Sequence, residues 1–140
     1  MSSIICDTSG LLAFFDVAET YNRSASDLVH AERGPFVVSP FVLAELDYLL
    51  ATRRGTTAEV AVLNELASGA WEHPTFEASD LRRAAELIER YEDQEIGVTD
   101  ASLIVLAHRY QTNRVLTLDH RHFNVVRTLG GSPFELLPVR

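Results

Sequence analysis

Short apolar runs alternate along this chain with longer stretches of helical period. Ser3 to Cys6 is β-branched and uncharged and predicts a short buried strand; Phe36 to Ser39, bounded by Pro35 and Pro40, predicts a second. Arg114 to Leu118 predicts a fourth, Trp71 to Thr75 a weak third, and Phe134 to Pro138 is a candidate fifth. Between them, Thr8–Phe15, Glu19–Glu32, Phe41–Arg53, Thr57–Ala67, Ser79–Tyr91 and Thr99–Tyr110 carry the 3.6-residue period of helices, with Gly55 and Gly69 as stop signals. Apolar residues go nearly all round Thr99–Tyr110, which marks it as central. Continuously apolar strands alternating with helices imply an α/β fold with a parallel sheet covered on both faces. Its crossovers should be right-handed, and its ligand site should lie beyond the carboxyl ends of the strands. The 140 residues fit one domain, 1–140, without linker, repeat or low-complexity segment.

Composition narrows the chemistry. The single cysteine, Cys6, lies in an apolar run, so it is read as a small buried hydrophobe rather than a disulfide partner or cluster ligand. The longest uncharged run, Gly34 to Ala44, is 11 residues with two prolines, short of the roughly 20 needed to span a membrane. The N-terminus has no basic segment and Asp7 interrupts its apolar run, unlike a secretion signal; a cytoplasmic protein is expected. Formal net charge is −8, yet all 12 basic residues are arginine. Arginine suits bidentate phosphate contacts, and codon bias would produce the same composition. Without lysine, the P-loop, Schiff-base and phosphoacceptor-aspartate chemistries are excluded. Charge is also uneven. Glu77 to Asp100 holds eight acids against three arginines, whereas Ala101 to Phe134 holds four arginines and one acid, Asp119.

Four acids stand at informative places. Asp7 follows the first strand, where an acid also serves as a helix N-cap. Glu45 lies in Phe41-Val42-Leu43-Ala44-Glu45 beside an apolar face, so it needs an arginine such as Arg53, a proton or a metal. Asp47 falls on the opposite, polar side and is read as solvated. Asp100 opens the central helix, where it suits the helix dipole and can also be aimed into a site. Asp119 follows the fourth strand, a place ordinary turn chemistry also explains. Nearby His120 and His122 lack the cysteines or second histidine pair of a zinc site and are read as surface or RNA-side groups. If the first and fourth strands are parallel neighbours, Asp7 and Asp119 share one sheet edge. Converging carboxylates would repel and raise their own pKa values; a hard divalent cation, Mg²⁺ or Mn²⁺, resolves that and serves phosphoryl displacement.

Asp7-Thr8-Ser9 after the first strand, Glu45 after the second, Thr99-Asp100-Ala101 opening a late helix, and Thr117-Leu118-Asp119 with Phe123 occur in this order over essentially the whole chain. In these features the chain resembles the PIN-domain nucleases, specifically VapC-type toxins of bacterial toxin–antitoxin pairs. The resemblance implies a three-layer α/β/α fold with a central five-stranded parallel sheet. It implies an endoribonuclease dependent on Mg²⁺ or Mn²⁺, cutting a transfer RNA or a ribosomal RNA loop and so inhibiting translation and growth. By likeness, Asp7 and Asp100 are the principal metal ligands, Asp119 completes the site, and Glu45 ligates or acts through water. Ser9 and Thr117 are supporting hydroxyls. Arg121, then Arg109, Arg114 and Arg127, are candidates to bind RNA phosphates.

The expected partners are RNA, a small VapB-type antitoxin and a second copy of the chain in a homodimer. An antitoxin arginine would neutralise the acid quartet while its helix lies in a groove between the helices predicted over Glu19–Glu32 and Phe41–Arg53. The competing expectations are a catalytically weak RNA- or protein-binding module on the same fold, and a metal-dependent phosphatase of small substrates.

Overall fold

The computed structural model describes residues 3–139. Five parallel strands, β1 (Ile4–Cys6), β2 (Phe36–Val38), β3 (Trp71–Glu72), β4 (Arg114–Leu116) and β5 (Glu135–Leu137), form one sheet in the order β3-β2-β1-β4-β5. The chain steps outward from β1 to β3, then returns to lay β4 on the free side of β1. Right-handed crossovers in these two directions put their helices on opposite faces of the sheet. The direction of winding reverses between β1 and β4, whose register pairs Cys6 with Leu116.

Seven α-helices connect the strands among the described residues. They are α1 (Thr8–Phe15), α2 (Asn22–Ala31), α3 (Pro40–Arg54), α4 (Thr56–Leu66), α5 (Ala78–Arg90), α6 (Val98–Arg109) and α7 (His120–Phe123). Helix α2 begins three residues later than its periodicity predicts, because residues 16–19 form a turn: the Glu19 N–H donates to the Asp16 carbonyl and the Ala18 N–H to its carboxylate. Strand β3 is cut to two residues ahead of Pro74, which has no N–H to give a ladder. The sequence pattern did not predict α7.

Helix α6 is buried without a break from Ala101 to Ala107, as expected of a central element. Its Leu103, Ile104 and Leu106 join Ile4, Ile5 and Leu116 of the sheet in the core. Each such side chain contributes roughly 1.5–3 kcal/mol of burial. Helix α1 lies against β4 because Gly10 has no side chain: a Cβ there would stand 2.4 Å from the Leu116 carbonyl oxygen. That close approach fixes where Asp7 and Ser9 point.

Candidate metal centre

The carboxyl ends of β1 and β4 open into a cleft of about 450 Å³ lined by Asp7, Ser9, Glu45, Asp100, Asp119 and His122, among others. Asp7 does cap α1, accepting the Thr8 N–H at 2.8 Å through Oδ1. Capping and a role in the cleft are therefore compatible. Its Oδ2 accepts the Thr117 hydroxyl at 2.8 Å and the Ser9 hydroxyl at 3.2 Å. Those hydroxyls are themselves fixed by backbone: Ser9 Oγ accepts the Leu118 N–H and Thr117 Oγ1 accepts the Asp119 N–H, each at 2.9 Å. The strand ends are thus stitched together around one nearly buried carboxylate.

Asp100 enters from the first turn of α6, whose N-terminal residues Gly97 to Thr99 line the same cleft. Asp119 precedes α7 as its N-cap, accepting the His122 N–H at 3.3 Å. Glu45 stands exposed at the mouth. Burial pushes the Asp7 carboxyl above its ordinary range despite three hydrogen bonds that oppose this, with Asp119 adding repulsion. Asp100 is pushed up to about 6, first by burial, then by Asp7, Asp119 and Glu45, while His122 partly offsets the rise. Among the described residues, the ion pairs given to these acids come from His122 alone: its Nδ1 is 3.1 Å from Asp119 Oδ2 and 3.5 Å from Asp100 Oδ2.

Hard oxygen donors, two of which (Asp7 and Asp100) are held above their ordinary pKa, suit a divalent ion. No three acidic, histidine or cysteine side chains among the described residues already close on one point as a finished chelate. The site is an open one that water would complete.

Several expectations need correction. His122 is not a surface group; it sits between two of the acids. Arg53 does not pair with Glu45; it lines the cleft and bonds Glu19 at 3.2 Å. Asp47 is not simply solvated: it is half-buried against Glu59 of α4, whose carboxyl is pushed up chiefly by its hydrogen bond to Asp47.

Three of the four candidate RNA-binding arginines are committed elsewhere. Arg109, at the far end of α6, bonds Asp80 and the Thr75 carbonyl, each at 2.8 Å. Arg114 starts β4, at the opposite edge of the sheet, and bonds Glu32 at 2.6 Å. Arg127 turns back onto the carbonyls of Asn124, Val125 and Val126. Arg121 is exposed on α7 but is not among the residues lining the cleft.

Sequence reasoning missed one internal support. The buried Ser39 Oγ is 2.8 Å from Ser102 Oγ, and the Ser102 hydroxyl donates to the Thr99 carbonyl at 2.6 Å. This joins the cap of α3, which carries Glu45, to the first turn of α6, which carries Asp100. Both serines occupy apolar runs, and a buried hydroxyl there is the only sequence signal.

The PIN-domain family model matches residues 4–128. The chain is 50% identical over 135 residues to Ribonuclease VapC26 of Mycobacterium tuberculosis, covering 96% of this chain and all of that protein. Among solved structures it is similar to M. tuberculosis VapC20, described as a sarcin-ricin loop cleaving toxin: TM-score 0.77, 25% identity, 85% of this chain and 92% of that one. A toxin–antitoxin complex from Klebsiella pneumoniae shares the fold, with TM-score 0.70 and 16% identity over 90% of this chain and 94% of that one.

Proposed function

The chain belongs to the PIN-domain family, as an endoribonuclease toxin of the VapC kind, and from that premise we propose that it cuts structured RNA with a divalent cation held by Asp7, Asp100 and Asp119. The observation that carries this reading is the convergence of those acids on one cleft, where His122 stands within ion-pair distance of Asp100 and Asp119. Mg²⁺ or Mn²⁺ would supply the positive centre that polarises a phosphodiester and activates water. The chain's own residues do the rest. Ser9 and Thr117 hold the Asp7 carboxylate toward the cleft. The N-terminal turn of α6 presents the positive end of the helix dipole to an incoming phosphate. Glu45, at the mouth, orients the attacking water or ligates through it. Arg53, half-exposed on the cleft wall, exchanges Glu19 for an RNA phosphate, with Arg121 outside the cleft as a second contact.

The substrate is a transfer RNA or a ribosomal RNA loop. A small antitoxin of the VapB kind blocks the enzyme by placing a basic side chain among the acids. Helices α2 and α3 both pack on α1, which would form the floor of the groove expected between them for the antitoxin helix. Exposed Tyr48, Val60 and Leu63 put further apolar surface on α3 and α4, available to the antitoxin or to a second copy. No helix of the described residues is long and apolar enough to cross a membrane.

The test is incubation of total RNA with the purified chain and Mg²⁺ or Mn²⁺, with EDTA and Asp100→Asn as controls. Discrete cleavage products that vanish in both controls are expected. Products that persist in both would remove the metal-site reading.

A further inference from the structure

We propose that His122 Nδ1 is itself a ligand of the cation, and that this nitrogen donor makes the site favour Mn²⁺ over Mg²⁺. The inference rests on the metal-nuclease reading above and goes beyond its all-carboxylate ligand set.

The placement is specific. Helix α7 is a single turn, anchored by the fully buried Phe123, whose ring meets Phe134 edge-to-face at 5.7 Å. With Phe123 held in the core, His122 is directed to the cleft. Its backbone N–H takes one oxygen of Asp119 while its ring nitrogen stands beside the other, so carboxylate and imidazole are fixed relative to each other. The side chain is only 17% exposed.

The ring nitrogen is close to two carboxylates and correctly aligned with neither. Nδ1 is buried and makes no hydrogen bond, although oxygens of Asp119 and Asp100 stand 3.1 and 3.5 Å away. Distance would allow a bond to Asp119; the angle does not. A nitrogen placed only to donate a proton would point at an acceptor. The spacing does match another arrangement. Donors about 2.1 Å from an octahedral ion stand about 3.0 Å apart when adjacent in its shell. Nδ1 is near that separation from Asp119 Oδ2 and within a small rotamer adjustment of it from Asp100 Oδ2. The neutral ring would carry its proton on Nε2 and offer the Nδ1 lone pair to the ion.

The donor type sets the preference. Mg²⁺ binds oxygen and gives up its waters reluctantly, whereas Mn²⁺ accepts imidazole alongside carboxylate. Replacing one oxygen position by nitrogen therefore costs Mg²⁺ more than Mn²⁺.

Mn²⁺ is paramagnetic, so a bonded nitrogen can be seen directly. The full-length chain is stripped of metal, loaded with Mn²⁺ below one equivalent and examined by pulsed EPR, unlabelled and with ¹⁵N-histidine. A directly bonded nitrogen coupling that changes with the label is expected. It should disappear in His122→Asn, with Mn²⁺ affinity falling about 10-fold and Mg²⁺ affinity, measured by displacement, falling less. An oxygen-only Mn²⁺ shell in the wild type overturns the proposal. So does a nitrogen coupling that survives His122→Asn, or equal losses for both ions. Either result alongside metal-dependent RNA cleavage leaves the nuclease reading standing. Failure of the wild type to bind either Mn²⁺ or Mg²⁺ would remove both.

Discussion

The two ends of the same sheet treat charge in opposite ways. At the amino end of β4, Arg114 bonds Glu32 at 2.6 Å and lies 3.9 Å from Glu135. Similar pairs recur around the molecule: Arg109 with Asp80, and Arg54 gripping Asp16 through two nitrogens at 2.6 and 3.3 Å. The Arg54 guanidinium holds the Asp16 carboxyl below its ordinary range; Asp80 is held low by the Glu77 N–H and then by Arg109. At the carboxyl end, Asp7 and Asp100 are held above that range. Among the described arginines Arg53 lines the cleft, and it is turned to Glu19 rather than to the acids. Acids tied to arginine mark where the fold is fastened; the acids without an arginine mark where the proposed cation would sit.

The largest break in this contrast comes from the unpaired end. Asp7→Asn or Asp100→Asn should lower RNA cleavage by about 10³-fold or more, while the metal-free variants melt no lower than wild type. Labelled-RNA cleavage together with thermal melts in EDTA checks both halves.

The next effect is a pH dependence whose sign separates the two ends. Asp100 has a folded pKa above its ordinary value, so its charge opposes folding. The cost is absent at pH below the ordinary value, grows as pH rises toward about 6 and is complete above it. At about 1.4 kcal/mol for each pKa unit, it reaches at most about 3 kcal/mol. Metal-free Asp100→Asn should therefore be more stable than wild type at pH 7.5 and lose that advantage near pH 4. Denaturant melts across this range provide the check; a constant difference would mean the acid is not strained. Asp16 and Asp80 have the opposite sign: their contribution is present at neutral pH and lost as pH falls through their lowered folded values. Arg54→Ala should accordingly lower the melting point by about 5 °C at pH 7.5, less at pH 3, and leave cleavage per folded molecule unchanged.

Smaller effects sharpen the boundary. Arg53→Ala should weaken RNA binding several-fold and flatten its salt dependence by about one phosphate contact, measured by binding titrations at varied salt. Arg114→Ala should leave that slope unchanged. Asp47→Asn is the smallest: relief of its contact with Glu59 should leave the melting point equal or slightly raised, with normal cleavage.

Much of this was legible in the residues, for local reasons. Apolar strands ending at Asp7 and just before Asp119 placed both acids at strand ends, and the sheet order made those ends neighbours. The all-apolar face of α6 announced its central position and hence the direction of Asp100. Partner choice was not legible. Arg114 meets a glutamate 82 residues away, and nothing in either neighbourhood names the other. Helix α7 was missed because four residues with one apolar position carry no period. Missing it misplaced His122, since a side chain outward on an extended segment turns inward on one helical turn. Asp47 was misjudged for a related reason: a wheel drawn for α3 alone does not include α4.

The stitching of β1 to β4 by Ser9 and Thr117 has a consequence for synthesis. Asp7 and Glu45 leave the ribosome early, but Thr117 and Asp119 follow more than seventy residues after Glu45. Until then β1 has no neighbour on that side, and Asp7 lacks the hydroxyl that holds it at 2.8 Å. A chain that stops before the end of β4 thus carries Asp7 and Glu45, and later Asp100, without the geometry. A nuclease whose centre closes only when β4 is laid beside β1 stays unassembled for as long as that strand is missing.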